Sequence, residues 1–450
     1  MSRISTLFII VGSCFGQTVL SPPPRAHVVQ ISKSGGQFTE PGIAINPNHP
    51  NQIVAVWQGG EHYQGSANAA WSTDGGRTFT IAAGTKPSDW RVAGDVSTTF
   101  DNKGNAFLCY LTFDRLGTPS YWAHDAGRNG IYVRRSPDGG RTWEAQAQAV
   151  KAFPAPGPET VFEDEPRIFA DNGKSSPYAG NLYAGWVEWQ LTQSVMLFSR
   201  STDAGKTWST PIRISTYAGL PRDDNGGLGG IVLAIGANGA IYAIWDDAHS
   251  IVLATSRDGG KTFTPSRSII EVGPPYVGEV PGVSRVEGFP QIAIDSRGRL
   301  YVCWSDYTNG DIDIFLSSSS DGGKKWSAPV RVNDDRIHDG KDQFYQWMTV
   351  DPVTGSIYVV FYDRRADPKD RKQSITLARS VDGGRSFANY AWTSTPFDSN
   401  GAFLGDYTWL AAYDNHVYGA WTATLATSGR KPGTGPSTII QAGAADFSGK

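Results

Sequence analysis

Acidic residues stand just ahead of short apolar runs along much of the chain: Glu40, Asp95, Asp164, Glu165, Asp224, Glu287 and Asp406. Gathered in one place, such carboxyl groups would line a polar pocket together with the cations and rings of the same segments. A second set, Glu188, Asp247, Asp306 and Asp363, follows aromatic-ended runs by two residues, where a hydrogen bond between repeats is the plainer use. The same connecting segments carry cations at Arg91, Arg115, Arg167, Arg222, Arg285, Arg364 and Arg365. They also carry the rings of Tyr63, Tyr121, Trp122, Trp189, Tyr345 and Tyr407. Guanidinium forks match carboxylates in pairs of hydrogen bonds, and flat rings suit sugar faces. The mixture fits an acidic glycan better than an apolar ligand. His62, His124 and His249 fall in the same loops without metal-ligand spacing, and Asp311-Ile-Asp313 is too short a motif for calcium. The chain has no phosphate-binding loop, dinucleotide glycine fingerprint or CxxC pair, so neither metal nor cofactor is expected.

What must position these groups is a repeat. Aspartates recur at Asp74, Asp138, Asp203, Asp258, Asp321 and Asp382 in the contexts STDGGRTF, SPDGGRTW, STDAGKTW, SRDGGKTF, SSDGGKKW and SVDGGRSF. A second periodic feature is a short strand ending in an aromatic: IVAVW57, AFLCY110, LYAGW186, IYAIW245, LYVCW304, IYVVF361 and VYGAW421. Each is preceded by another apolar strand, such as GIAI, RIFA, QIAI, WMTV or WLAA, and all but the last are followed by a third strand running into the aspartate motif. Four antiparallel strands per unit describe a β-propeller blade. The expected fold is therefore all-β, with seven blades; six, with residues 405–450 as an appended tail, is the alternative count.

The seventh unit stops after TIIQAG without an aspartate motif, and HVVQIS at 27–32 reads as an orphan outer strand. Pairing the two would close the ring and remove both exposed edges. Strand order puts the aspartate motif on the hairpin between strands three and four. There its carboxylate can accept turn amides, its glycines permit positive φ, and its terminal ring can bury against a neighbouring sheet. The acids, arginines and tyrosines then occupy the opposite face.

Bulk properties bound the rest. Among 450 residues, 52 are glycine and 15 tryptophan, and the formal net charge is −3. Nothing in that balance points to nucleic acid. Residues 1–16 read as a secretory signal peptide, followed by a linker at 17–26 and a single propeller domain at 27–450; lipidation at Cys14 is the alternative fate of the leader. No later stretch approaches a membrane span, so an exported or cell-surface monomer is expected. Cys109 and Cys303 lie three units apart, too far for a disulfide, and should be buried thiols.

The motif S-x-D-[GA]-G-x-[TSK]-[FW] resembles the Asp box, or BNR repeat, of the sialidase superfamily over nearly all of the proposed domain. The resemblance implies a glycoside hydrolase acting on a terminal acidic sugar. It implies three arginines for the sugar carboxylate, a tyrosine nucleophile paired with a glutamate, and an aspartate as acid and base. Carried onto this chain, it makes Tyr407 the nucleophile, Glu287 its partner and Asp95 the acid/base, with Arg167, Arg222 and Arg364 as the arginines and Glu165 and Asp406 beside them. The family's Arg-Ile-Pro of the first blade is absent, Gly42 standing in its place, and an Arg-Ile appears instead in EPRIFA, 165–170. Two other functions fit the same fold: a binding propeller without catalysis, and a uronate lyase using Tyr63 beside His62 or Tyr121 near His124.

Overall fold

In the computed structural model, residues 19–61, 65–85, 90–115, 123, 126–155, 161–222, 226–247, 249–272, 280–425 and 437–449 are described. His62, Tyr63, Tyr121, Trp122, His124, Asp224, Cys14 and the proposed leader lie outside them.

Their strands form seven antiparallel sheets. The innermost strands, in chain order, are Gln37–Asn46, Val92–Phe100, Phe162–Ala170, Leu228–Ile235, Gln291–Ile294, Gln343–Val350 and Trp409–Tyr413. Each packs against the next and the seventh packs against the first. The molecule is therefore a seven-bladed all-β propeller, and among the described residues there is no helix long and apolar enough to cross a membrane. The second strand of each blade shows why the sequence reads as unbroken apolar runs. In blade 1, Ile53, Val54, Ala55 and Val56 are fully buried and Trp57 is 2% exposed, because blades cover both faces of the sheet. β-Branched and aromatic residues fill such two-sided layers well.

Blade 7 is completed from the other end of the chain. Strand His27–Gln30 pairs antiparallel with Thr438–Asp446 in the register His27↔Ala444 to Gln30↔Gln441. Blade 6 carries an additional strand, Phe397–Asp398, on Lys372–Gln373.

The six aspartate hairpins share one bonding pattern, save that in the fifth Lys325 donates only its backbone N–H. In the fourth, Ser256 Oγ donates to Asp258 Oδ1 at 2.8 Å, and Thr262 donates its N–H to Oδ1 at 3.0 Å and its hydroxyl to Oδ2 at 2.6 Å. Gly259 and Gly260 take φ of 71° and 78°, a region that disfavours a Cβ. What burial there is raises the Asp258 pKa, but the bonds from Thr262 and Ser256 outweigh it and bring the carboxyl to about 2. Phe263, which closes the motif, meets Phe198 of the preceding blade edge-on with centroids 4.9 Å apart. These loops lie at the ends of the first-to-second-strand hairpins, as Gly75 N donating to Asn51 O shows. Asp258→Ala should reduce unfolding free energy by about 1–2 kcal/mol, the worth of its lost hydrogen bonds, without changing ligand affinity; urea titration beside a binding assay checks both.

Cys109 and Cys303 are buried and unbonded. Burial pushes the Cys109 thiol up to about 12, so both act as small apolar fillers.

Candidate functional site

The opposite end of the channel is built from irregularities in the innermost strands. Pairing with the second strand slips between Thr39 and Gly42, Gly94 and Ser97, Asp164 and Arg167, Gly229 and Val232, and Phe344 and Trp347. At each slip one residue adopts the left-handed conformation: Glu40 (φ 52°), Asp95 (47°), Glu165 (52°), Gly230 (67°) and Tyr345 (54°). Glycine takes that conformation without strain, whereas a side chain there costs roughly 1–3 kcal/mol. Blade 4 uses glycine; blades 1 to 3 use carboxylic acids. By the same count in sequence, blades 5 and 7 place Phe289 and Tyr407 at this position. The mouth thus has an acidic arc in blades 1 to 3 and an aromatic arc in blades 5 to 7.

Bonds between blades pin the arc. Gln58 of blade 1 accepts from Asp95 N at 2.9 Å and donates to Thr39 Oγ1 at 3.0 Å. Asp95 Oδ2 accepts from Glu165 N at 3.2 Å, and Glu165 Oε2 accepts from Gly230 N at 2.7 Å. Ser97 Oγ donates to Pro166 O at 3.0 Å and accepts from Ile168 N at 3.1 Å. Trp189 holds Asp164 Oδ2 through its indole N–H at 3.0 Å. On the other side Thr408 Oγ1 donates to Tyr345 O at 2.8 Å and Gln346 Nε2 to Phe289 O at 2.8 Å.

Arg167 spans the two arcs. It is 1% exposed, and its guanidinium lies 3.8 Å from the centroid of the Tyr407 ring, 5.3 Å from Trp409 and 5.8 Å from Trp347. Those two indoles stack at 3.8 Å. The Tyr407 hydroxyl donates toward Glu40 Oε2 at 3.5 Å and Val96 O at 3.3 Å. Beside them Arg285 Nε donates to Asp406 Oδ1 at 3.0 Å and approaches Glu287 Oε1 at 3.4 Å.

Burial and mutual repulsion raise the pKa values of three carboxyl groups of this cluster. Glu40 is held well above the usual carboxylate range by burial, then by the charges of Asp95 and Asp406. Asp164 is raised by burial and by Asp95. Glu165, half-buried, is raised to about 8, chiefly by burial; Asp95 and Asp406 add to the rise while the Gly230 amide and Arg167 oppose it. Burial also holds the Tyr407 phenol protonated, despite Arg167.

Of the residues named from the sequence, the structure brings together Tyr407, Asp95, Arg167 and Glu165, with Asp406 and Glu287 joined through Arg285. Two expected arrangements are corrected. The carboxylate beside the Tyr407 hydroxyl is Glu40, whereas Glu287 pairs with Arg285. Arg364 does not join Arg167 at the mouth. Arg364 is fully buried, donates to the carbonyls of Asp370 and Pro281 at 2.8 and 2.9 Å, and lies 5.3 Å from the Phe344 ring. Arg222 lies on the connection between blades 3 and 4, its carbonyl bordering Gly227 next to the Trp189 ring. Trp347 and Trp409 were not anticipated as site residues, although each stands two residues after a tyrosine of the ring, as Arg167 stands two after Glu165. Among the described residues no cluster of His, Cys, Asp and Glu is arranged to hold a metal.

No family model matches the chain. A sialidase of Bacteroides fragilis (strain YCH46) is 26% identical over 166 residues, 32% of this chain and 29% of that protein, so the match spans under a third of the relative's length. A solved structure from Dyadobacter fermentans DSM 18053, of unknown function, superposes with a TM-score of 0.51 at 14% identity over 94% of this chain and 100% of that one. An ulvan lyase, a polysaccharide lyase, superposes with a TM-score of 0.51 at 11% identity over 92% of this chain and 95% of that one. The chain is sialidase-like in a stretch of sequence and shares its fold with these two structures.

Proposed function

We propose that the protein is a carbohydrate-active enzyme, a glycoside hydrolase whose chemistry is done at the channel mouth by carboxyl groups. The observation that carries this reading is the strained acidic arc. Three consecutive blades hold Glu40, Asp95 and Glu165 in a left-handed conformation that blade 4 fills with glycine, and strain of this kind is retained where the side chain has work to do.

In this reading Glu165, protonated at neutral pH, gives its proton to the glycosidic oxygen as the bond to the anomeric carbon breaks. Asp95 takes a proton from the water that forms the new carbon–oxygen bond. Glu40, Tyr407 and Arg167, buried behind them, fix the pair, and Arg167 offsets its charge. Arg167 is enclosed by rings and Arg285 is tied to Asp406 and Glu287, which favours an uncharged sugar in place of the acidic sugar that the family resemblance implies. The S-x-D-G-G loops act as Asp boxes, purely architectural, and residues 1–16 direct export.

Turnover of a panel of fluorogenic hexosides, pentosides and sialosides tests the proposal. Glu165→Gln and Asp95→Asn should each lower kcat/KM by about 10²–10⁴-fold, the usual worth of a general acid or base. The parent rate should fall as pH rises through about 8, where Glu165 loses its proton. No turnover on any substrate, or turnover indifferent to both substitutions, would sink the reading. A lyase acting on uronate polymers is the second reading, favoured by the fold shared with the ulvan lyase. It would announce itself by unsaturated, ultraviolet-absorbing products.

A further inference from the structure

A groove of about 830 Å³ runs along the perimeter between blades 6 and 7, away from the innermost strands. One wall is the segment after the outer strand Ala388–Ala391, shaped by the additional strand Phe397–Asp398 that blade 6 carries. The other is the ring-closing strand at His27 and Val28 together with the end of strand His416–Thr424. Trp392 lies at its base, 4% exposed, with its ring 5.4 Å from that of Trp421.

The lining chemistry is selective. Ser394, Thr395 and Asn400 present hydroxyl and amide groups at the surface. The lining holds one cation, Lys372, and one anion, Asp398, the latter 3.9 Å from Arg371, so it carries no large excess of charge. Phe397 and Trp392 supply ring surface between the polar groups. The buried Nε2 of His27, on the closing strand, has no hydrogen-bond partner, and a buried polar atom left unpaired costs about 1–3 kcal/mol unless something completes it. Balanced charge, hydroxyl and amide groups and ring surface suit a ligand that is neutral, hydroxyl-rich and partly flat. The volume lies within the range of about 300–1,000 Å³ typical of small-molecule sites.

We infer that this groove is a second carbohydrate site, which binds a neutral oligosaccharide without cleaving it and holds a polymeric glycan to the propeller. The ligand would touch the closing strand, so occupancy should also stabilise the ring. The inference concerns binding and stands whether or not the mouth is catalytic.

Calorimetric titration of the full chain carrying Glu165→Gln with cellohexaose, xylohexaose and chitohexaose tests it, with a heparin hexasaccharide as the charged counterpart. At least one neutral hexasaccharide should bind and raise the melting temperature, and the heparin hexasaccharide should not. His27→Ala and Asn400→Ala should each weaken that binding by about tenfold, and Thr395→Trp, on the exposed rim, should block it while the protein melts normally. In the parent background these three variants should cleave a small fluorogenic glycoside at the unchanged rate. Absence of binding by all three neutral hexasaccharides overturns the inference. So does binding that resists the groove substitutions but disappears with Asp95→Asn, which would assign it to the mouth. Failure of the hydrolase reading shows separately, as absent turnover with groove binding intact.

Discussion

Arg167→Leu should lower the unfolding free energy by about 3–5 kcal/mol, the range for removing one partner of a buried charge cluster. The guanidinium is 1% exposed and faces the rings of Tyr407, Trp409 and Trp347 on one side. Burial opposes its charged form, while Tyr407, then Glu165 and Asp95, favour it. Leucine keeps part of the volume but removes the cation, so both the ring contacts and the compensation of the acids are lost. One Nη1 is unpartnered in the structure, so the residue is held by charge and rings more than by hydrogen bonds.

The direction of the accompanying pH effect follows from the same contacts. Arg167 is among the groups that lower the Glu165 pKa, against a larger rise from burial. Without it Glu165 should titrate above its parent value of about 8, and the alkaline limb of activity should move to higher pH. Stability has the matching sign. A carboxyl whose pKa is raised by folding stabilises most below the ordinary glutamate range, and that contribution is lost as pH rises through its folded value. Parent protein should therefore weaken between about pH 5 and 9, and Glu165→Gln should flatten the decline. Urea titrations across that range decide the matter. An Arg167→Leu protein as stable as the parent, or an alkaline limb displaced downward, contradicts the arrangement described.

How much of this was legible from residues alone differs by layer. Blades, ring closure and the aspartate hairpins are local patterns: strands of alternating or fully buried residues, turn glycines, and an orphan strand whose partner lacked one. Each needs only neighbours in sequence, or a count around a ring. The acids of the mouth were legible as types before a strand, but the side chains they would meet were not. Glu40 and Tyr407 are 367 positions apart, and their approach depends on how far each innermost strand slips at its bulge. Arg364 read as a site residue because it follows a second strand, as other candidates do. Its burial beneath Phe344, among the carbonyls of Asp370 and Pro281, depends on the packing of the connection from blade 4 onto blade 6. Family analogy likewise supplied three arginines, whereas here Arg364 and Arg285 bond to groups from other parts of the ring.

Closure of the ring yields the other large effect, and a substitution one residue away controls for it. Ile31 N donates to Ile440 O at 2.9 Å. In an antiparallel pair the inward N–H groups alternate, so the register Val29↔Ala442 turns the Val29 N–H toward the sheet and those of Val28 and Gln30 away from it. Val29→Pro removes an inward donor and sets its ring against the neighbouring strand, leaving a ladder carbonyl unpaired at a cost of about 1–3 kcal/mol. Gln30→Pro removes a donor that faces outward on an edge strand, where proline is tolerated. The ion pair Arg25–Asp446 at the start of the strand, 63% and 23% exposed, adds little by comparison. Opening the closing strand also bares the edge of Thr438–Asp446, a template for pairing with another chain. Val29→Pro should therefore melt earlier and form oligomers on size-exclusion chromatography at concentrations where Gln30→Pro remains like the parent. Equal behaviour of the two variants would mean that the strand His27–Gln30 does not close the ring in solution.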